Sequence, residues 1–259
     1  MKKVFLFFIV CAILMTASTA IGGDIKSVRI GTEGAYPPFN FIDKDGELQG
    51  FDVEIARALC EAAEVECEFV VQDWDGMIPG LQAKKYDAII ASMAITEERQ
   101  EKVAFTDKYY MTPARFVAKK GAGFEVSPEG LKGKTIGVQR ATTHENFVRD
   151  NFGDTVSIKS YPTQEEANMD LISGRVDLVI ADSVVLLEGF VNTEAGQDYE
   201  FIGPGFTDEE WYGEGIGIAI RKEDKELVAL FNNAIQKIRD NGVYKTINDK
   251  YFDFDVYGD

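Results

Sequence analysis

The chain has 259 residues, of which 44 are acidic and 27 are basic, so its formal net charge at pH 7 is −17. A charge of this sign argues against binding to nucleic acid or to an anionic membrane surface. The length exceeds what one hydrophobic core comfortably organises, and it predicts two lobes.

The first twenty residues have the pattern of a secretory signal peptide. Lys2 and Lys3 precede the apolar run VFLFFIVCAILM, and small residues follow at Ser18 and Ala20. We predict that residues 1–20 are a signal peptide and that the mature protein is exported. Two alternatives stay open: a membrane anchor, for which the run is short, and a lipoprotein modified at Cys11.

Strands alternate with helices along the rest of the chain, which is typical of an α/β fold with parallel sheets. The predicted strands are VRIGTEG, CEFVVQ, YDAIIAS, KTIGVQ and VDLVIADS. The predicted helices are FDVEIARALCEAA, WDGMIPGLQAKK, HENFVRDNF and EEANMDLIS, with a further helix opening in ITEERQEKVAF.

Two cysteines follow the predicted signal peptide, Cys60 and Cys67, and they are too far apart for a CxxC redox motif. In an oxidising compartment this pair predicts a disulfide. It would tie the end of the helix FDVEIARALCEAA to the strand that follows. We expect its role to be structural.

Two segments ninety residues apart resemble each other. LQAKKYDAIIAS (81–92) and LISGRVDLVIAD (171–182) align without gaps, and each ends its strand on a polar residue, Ser92 or Asp182. Two similar lobes would account for this repeat, although chance similarity of two short units is an alternative. Ligands of open α/β sheets bind at the carboxyl ends of strands.

Arg99 lies in the first turn of a predicted helix, where the partial charge of free N–H groups disfavours a cation. Thr96 is placed to cap that helix, which leaves N–H groups available to an anion. The planar guanidinium suits a carboxylate. The alternative is an ion pair with a neighbouring surface acid, Glu97 or Glu98.

The second half of the chain also has a helix start whose N–H groups are available to an anion. Thr142 and Thr143 stand between a strand and a helix, and Thr143 as an ordinary N-cap is the plain alternative. Asp182 adds a carboxylate that needs a cation if it lies in a cleft. Arg99 and Asp182 together predict a site for a zwitterion.

Several segments resemble the periplasmic solute-binding proteins of ABC transporters for polar amino acids. They are GTEGAYPPF, GFDVEIARALC, GMIPGLQAKKYDAIIASMAITEER, VAFTDKYY, LKGKTIGVQRATTHENF, GRVDLVIAD and KYFDFDVYGD. The resemblance implies a type II periplasmic binding protein, in which each lobe is a mostly parallel sheet flanked by helices. By implication, 24–111 and 213–259 form lobe 1, 112–212 forms lobe 2, and two crossing segments form the hinge.

The resemblance also implies a ligand site. It places an α-carboxylate clamp on Arg99 and the backbone of Ala94 and Thr143, and an α-ammonium site on Asp182 and the Ser92 carbonyl. It implies that Tyr36 and Trp74 sandwich the ligand side chain and that Glu33 meets a distal cation. The remaining wall residues are Ala91, Gln139, Thr142 and His144.

This sequence departs from some relatives at the site. Ala91 and Ala94 stand where some relatives have serine, Glu33 is longer than their aspartate, and His144 replaces a glutamine. These departures bear on which side chain is recognised and not on the amino-acid class. GVQRATT and TTH look most like the arginine-binding members, so the resemblance implies a binder of a basic amino acid: arginine first, then ornithine or lysine. A histidine binder and a general polar amino-acid binder are the alternatives. The implied partner is an inner-membrane ABC permease, and we expect a monomer.

An enzyme is the rival class, because a few relatives on this fold are periplasmic dehydratases. The sequence has one histidine and lacks an HExxH zinc motif, a GxSxG elbow and a phosphate loop. The glycines of GEGIGIAI run into a strand and do not fit a dinucleotide motif. We expect neither a catalytic centre nor a metal or other cofactor.

Overall fold

The computed structural model describes residues 25–258. The predicted signal peptide, 1–20, lies outside the described residues. Within the described part of the chain, no helix is long and apolar enough to cross a membrane. The fold comprises two five-stranded sheets, each with helices against it, and a small three-stranded sheet, which confirms the predicted two-lobed α/β architecture.

The strands are β1 (Ser27–Thr32), β2 (Ala35–Tyr36), β3 (Asn40–Ile42), β4 (Leu48–Gln49), β5 (Glu66–Val71), β6 (Ala88–Ile89), β7 (Ala104–Phe105), β8 (Ala114–Lys119), β9 (Thr135–Gln139), β10 (Ser157–Tyr161), β11 (Leu178–Asp182), β12 (Tyr199–Phe206) and β13 (Ala219–Ile220). The α-helices are α1 (Phe51–Ala63), α2 (Met77–Gln82), α3 (Glu97–Gln100), α4 (Thr143–Phe152), α5 (Gln164–Ile172), α6 (Ser183–Leu186), α7 (Glu209–Tyr212), α8 (Lys225–Asp240) and α9 (Val243–Tyr251).

The two large sheets have the same order and the same pattern of directions. The order is β5-β1-β6-β13-β7 in the first and β10-β9-β11-β8-β12 in the second. In each, the fourth strand is antiparallel to both neighbours and the first three are parallel. The repeated segments 81–92 and 171–182 end in β6 and β11, which occupy the same central position, so the repeat reflects two similar lobes.

The chain crosses between the sheets twice, from β7 to β8 and from β12 to β13. The two crossings lie side by side, because Ile216 forms an antiparallel bridge with Tyr110 and donates its N–H to the Tyr110 carbonyl at 2.9 Å. The strand entered after each crossing is the antiparallel one. The carboxyl ends of the parallel strands therefore face the cleft between the lobes. The limits 24–111, 112–212 and 213–259 stay a prediction.

The core of the first lobe fixes the loop that carries Tyr36. Phe39 stacks on Tyr110 with ring centroids 4.6 Å apart, and Phe51 at the start of α1 contacts both rings edge-on. These rings are fully buried, and they tie β2 and α1 to the first hinge crossing. Aromatic pairs of this kind add about 0.5–1.5 kcal/mol each beyond their buried area.

The predicted disulfide is confirmed. Cys60, near the end of α1, bonds to Cys67 in β5, and their Cα atoms are 6.1 Å apart. It lies at the end of α1 remote from the cleft, which agrees with a structural role.

Two predicted elements are shorter than expected. The helix in ITEERQEKVAF is a single turn, α3, because residues 104–105 of the same segment pair with β13 as strand β7. In ITEERQEKVAF, pairing with a distant strand overrides the local pattern. The strand in YDAIIAS covers only Ala88–Ile89, although the Asp87 and Ile90 N–H groups also donate to carbonyls of β1.

Candidate ligand-binding site

The predicted site residues gather in the cleft where the two sheets face each other. One cavity is lined by Glu33, Tyr36, Trp74, Ala91, Ser92, Arg99, Gln139, Thr142, Thr143 and His144. An adjoining cavity adds Ala94 and Asp182, and shares Tyr36, Ser92, Thr143 and His144 with the first. All the predicted residues thus line two neighbouring spaces, and their role as ligand contacts stays a prediction.

Buried charge is concentrated at this cleft. Among residues 25–258, the buried Asp, Glu, Lys and Arg residues are Glu33, Asp52, Arg99 and Asp182. Glu33 follows β1, Asp182 ends β11 and Arg99 lies in the turn that follows β6, so all three come from the cleft ends of strands. Burying an uncompensated charge is costly, which marks this cleft as a place for a charged partner.

Arg99 points into the cavity and away from the surface acids. Thr96 caps α3 by accepting the Arg99 N–H at 3.3 Å, and Arg99 Nη1 donates to the Ala94 carbonyl at 3.0 Å. Its guanidinium lies 5.3 Å from the centre of the Trp74 ring. Burial lowers the pKa of Arg99 to about 10. Glu98 instead pairs with Lys102 at 2.9 Å, so the surface-pair alternative does not describe Arg99.

The start of α4 faces the same space. Thr142 is its N-cap and accepts the Glu145 N–H at 3.2 Å, while its own hydroxyl donates to the Gln139 carbonyl at 2.7 Å. Thr143 is the first residue of the helix and not its cap. The first N–H groups of a helix have no intrahelical acceptor and carry partial positive charge, so with Arg99 they place positive charge on one side of the cavity.

Asp182 offers the opposite charge from the second lobe. Its carboxylate caps α6, accepting the Val184 N–H at 2.8 Å and the Val185 N–H at 3.4 Å, and it also accepts the Thr112 hydroxyl. Burial nevertheless raises the pKa of Asp182 to about 6. The hydrogen bonds orient this carboxylate, but they do not neutralise it.

Glu33 meets Gln139 across the cleft. Gln139 Nε2 donates to Glu33 Oε1 at 2.6 Å and to the Pro162 carbonyl at 3.1 Å. Glu33 is 6% exposed, and its burial raises its pKa to about 7, with a smaller contribution from the negative charges of Asp73 and Asp75. The carboxylate is held by a neutral donor.

None of these three charges has an ionic partner in the described residues. No opposite charge of residues 25–258 lies within 4.0 Å of Arg99, Asp182 or Glu33. The cleft therefore holds one unpaired guanidinium and two unpaired carboxylates.

Ser92 is held by residues that the sequence analysis missed. Its backbone is left-handed, with φ of 54°, and its hydroxyl donates to Asp52 Oδ2 at 3.0 Å. Asp52 also accepts the Asn40 amide at 2.9 Å and the Tyr109 hydroxyl at 2.7 Å. The sequence does carry a signal for Asp52: an acid that lies on the apolar face of the helix FDVEIARALCEAA. A carboxylate buried on such a face needs hydrogen-bond donors.

The remaining wall is aromatic. Tyr36 and Trp74 are 7% and 8% exposed, and the ring of His144 lies 5.7 Å from that of Tyr212. Burial, with the nearby charge of Arg99, lowers the pKa of His144 to about 3, so the imidazole is neutral at physiological pH. From the sequence alone, a lone histidine at this position would more often be solvated.

The cleft presents a guanidinium and helix N–H groups at Arg99 and α4, and carboxylates at Asp182 and at Glu33. Among the described residues, no group of three or more His, Cys, Asp or Glu side chains is placed to hold a metal ion. That Arg99 and α4 receive an anion, and Asp182 and Glu33 a cation, stays a prediction.

The chain is similar to known proteins in family, sequence and fold. Residues 28–254 match the model of the bacterial extracellular solute-binding proteins, family 3. The chain is 53% identical over 234 residues to an L-arginine-binding protein of Pseudomonas aeruginosa, covering 90% of each chain. It is 39% identical to the lysine/arginine/ornithine-binding periplasmic protein of Escherichia coli K12 over the whole of both chains.

A solved structure of an ancestral arginine-binding protein bound to arginine has the same fold. The TM-score is 0.82 at 38% sequence identity, over 89% of this chain and 100% of that one. The family match and the full-length relatives lead to one conclusion. The chain belongs to the bacterial extracellular solute-binding proteins, family 3.

Proposed function

We propose that this protein is the periplasmic substrate-binding component of an ABC transporter for basic amino acids, with arginine preferred over ornithine and lysine. The observation that carries the proposal is the set of three buried charges that line the two cavities without an ionic partner: one guanidinium and two carboxylates. A molecule with one carboxylate and two cationic groups pairs all three. A basic amino acid has this composition.

The proposed pose follows from the positions of the charges. The α-carboxylate lies at Arg99 and the start of α4, and the α-ammonium at Asp182 and the Ser92 carbonyl. The side chain passes between Tyr36 and Trp74, whose ring faces attract a cation. Its distal cation reaches Glu33. Closure of the two lobes about the hinge then surrounds the ligand.

Arginine is preferred because its guanidinium is planar. It can stack on aromatic rings and donate two parallel hydrogen bonds to a carboxylate, whereas lysine and ornithine offer a compact ammonium. The similarity to an L-arginine-binding protein supports this order. A ligand whose side chain ends in a neutral group leaves the buried Glu33 carboxylate without a cation. This disfavours glutamine and, at neutral pH, histidine.

Isothermal titration calorimetry against arginine, ornithine, lysine, histidine and glutamine tests the proposal. We expect arginine to bind tightest and glutamine at least about a hundredfold more weakly, a difference of about 2.7 kcal/mol. Equal affinity for glutamine and arginine would contradict the proposal and favour the general polar amino-acid binder. A preference for histidine would favour that alternative.

The rival proposal is a dehydratase-like enzyme on the same fold. Incubation of each bound amino acid with the protein, followed by mass spectrometry of the recovered ligand, separates the two classes. We expect the ligand to return unchanged. Accumulation of a product in proportion to protein concentration would favour the enzyme.

We further propose export through residues 1–20 and action as a monomer that delivers its ligand to an inner-membrane ABC permease. Cell fractionation and light scattering measure the location and the mass of the mature protein. Loss of uptake on deletion of the gene, with the permease intact, is the expected result in cells.

A further inference from the structure

Two contacts join the lobes just outside the ligand cavity. The indole N–H of Trp74 donates to the Ala141 carbonyl at 3.0 Å. Next to it, Asp75 Oδ2 lies 2.7 Å from Arg140 Nε, an ion pair whose two side chains are 40% and 43% exposed. Two consecutive residues of the first lobe thus meet two consecutive residues of the second, in opposite order.

Each half of this contact is fixed within its own lobe. Trp74 and Asp75 lie in a 3₁₀ turn that leads directly into α2. Ala141 has a left-handed backbone, with φ of 58°, and its N–H donates to Glu145 Oε2 at 2.7 Å. A non-glycine residue in this region is uncommon and is held there by its surroundings. The Ala141 carbonyl is therefore positioned without help from a ligand.

The contact lies at the mouth of the cavity. Trp74, Asp75 and Ala141 all line a groove of about 1060 Å³ on the outside of the cleft. Trp74, Arg99 and Thr143 also line the inner cavity, so these three residues lie between the two spaces. A ligand leaving on this side would pass Trp74 and Asp75 of the first lobe and Ala141 of the second.

We propose that Trp74 and Asp75, with Arg140 and Ala141, form a closing latch that sets the rate of ligand release. Asp75 and Arg140 do not touch the ligand in the proposed pose, and the latch acts through the open–closed equilibrium. The effect on release rests on the proposed function, whereas the effect on the ligand-free equilibrium does not. A contact present only in the closed form shifts that equilibrium by its own free energy.

The variants Asp75→Asn, Arg140→Gln and the double variant test the latch. Release of arginine can be followed by stopped-flow fluorescence, since Trp74 is one of two tryptophans in the chain. We expect each single variant to speed release about two- to fivefold, the range for a half-exposed ion pair. The double variant should be no faster than either single one, because both remove the same interaction. Association rates should change little.

The matched control is Lys245→Gln. Lys245 pairs with Asp249 within α9, so this substitution removes an exposed ion pair that does not cross the cleft. We expect its release rate to equal that of the unchanged protein. Additive effects of Asp75→Asn and Arg140→Gln, or rates equal to the control, would overturn the latch.

A field effect through Glu33 is the competing explanation, because the charge of Asp75 also raises the pKa of Glu33. Citrulline, the neutral counterpart of arginine, separates the two. A latch speeds the release of both ligands by the same factor, while a field effect changes only arginine. If only arginine responds, the latch is wrong.

The ligand-free protein gives a test that is independent of ligand identity. With one dye on each lobe, single-molecule energy transfer measures the closed population. We expect the double variant to be closed less often than the control. Equal populations would overturn the latch even where arginine binding by the unchanged protein had upheld the proposed function.

Discussion

The Glu33 carboxylate and the Gln139 amide meet across the cleft with 2.6 Å between oxygen and nitrogen. One residue follows β1 of the first lobe and the other ends β9 of the second. The hydrogen bond orients the carboxylate, but its donor is a neutral amide. With a pKa of about 7, Glu33 therefore exists in both its protonated and its ionised form near neutral pH. A distal cation of the ligand is what would fix it in the ionised form.

Arginine binding should weaken as the pH falls. The pKa of Glu33 is about 7 in the ligand-free protein, and only the ionised form pairs with a cation. From pH 8 to pH 5, we expect protonation of Glu33 to reduce arginine affinity about a hundredfold. Calorimetric titration across this range measures the change.

Glu33→Gln and citrulline are the controls for this pH dependence. Both remove the distal ion pair, so the part of the pH dependence that belongs to Glu33 should disappear. Protonation of Asp182, with a pKa of about 6, should still weaken every ligand at low pH. An unchanged slope in Glu33→Gln would show that another group is titrating.

The stability of the ligand-free protein should respond to Glu33 in the opposite direction. Its folded pKa lies above the ordinary value, so between about pH 4.5 and 7 the folded state binds more protons than the unfolded chain. The contribution of Glu33 to the free energy of unfolding therefore falls as the pH rises through this window. Glu33→Gln should remove that fall, as measured by urea unfolding at several pH values.

Arg99→Met should abolish recognition without unfolding the protein. We expect it to weaken every amino acid alike by about 2–5 kcal/mol, because the α-carboxylate is common to them. The melting temperature of the ligand-free protein should stay the same or rise, because the substitution removes an unpaired buried charge. Calorimetry measures both quantities. Binding that survives within about threefold would place the carboxylate site elsewhere.

Asp52→Asn should lower both stability and ligand affinity, because Asp52 supports Ser92 without lining the cavity itself. Asp52 accepts hydrogen bonds from Ser92, Asn40 and Tyr109, and an asparagine turns one acceptor into a donor that faces another donor. We expect a loss of about 1–3 kcal/mol in the free energy of unfolding. Arginine affinity should also fall, since Ser92 loses its support.

The exposed Asp45→Asn is the control for Asp52→Asn. It should change neither unfolding nor affinity. If Asp52→Asn lowers stability and leaves affinity unchanged, the network is structural and does not position Ser92.

Removal of the disulfide should affect stability alone. The double variant Cys60→Ala/Cys67→Ala should lose about 2–3 kcal/mol in the free energy of unfolding. Cys60 lies about 12 Å along α1 from Asp52, at 1.5 Å per residue. We therefore expect arginine affinity to be unchanged. A weaker affinity in the folded variant would link this end of α1 to the cleft.

The sequence predicts those elements whose signal is local. FDVEIARALCEAA has strong helical periodicity, and α1 covers the same residues, Phe51–Ala63. The helix predicted in ITEERQEKVAF is a single turn because Ala104 and Phe105 pair with a strand more than a hundred residues later. A local sequence pattern cannot predict pairing between strands so far apart in the chain.

The distinction between local and long-range signals also applies to the site. Thr96 is recognisable from the sequence as a helix start, and Arg99 as a cation in an unfavourable place. For α4 the sequence suggests Thr143 as the cap, whereas the cap is Thr142. The link between Asp52 and Ser92, and the bond from the Trp74 indole to Ala141, join distant parts of the chain. The ring of His144 likewise meets that of Tyr212, which comes from the second crossing. Such relationships follow only from the assembled fold.

The position of β13 bears on the order in which the protein is assembled during synthesis. Residues 114–206 contain every strand of the second sheet in one continuous stretch. The first sheet, by contrast, needs Ala219–Ile220 between β6 and β7. One edge of β6 therefore stays unpaired until these two residues have been synthesised. A chain that stops short of residue 219 lacks the strand that completes one wall of the cleft. We therefore expect incomplete chains not to bind ligand.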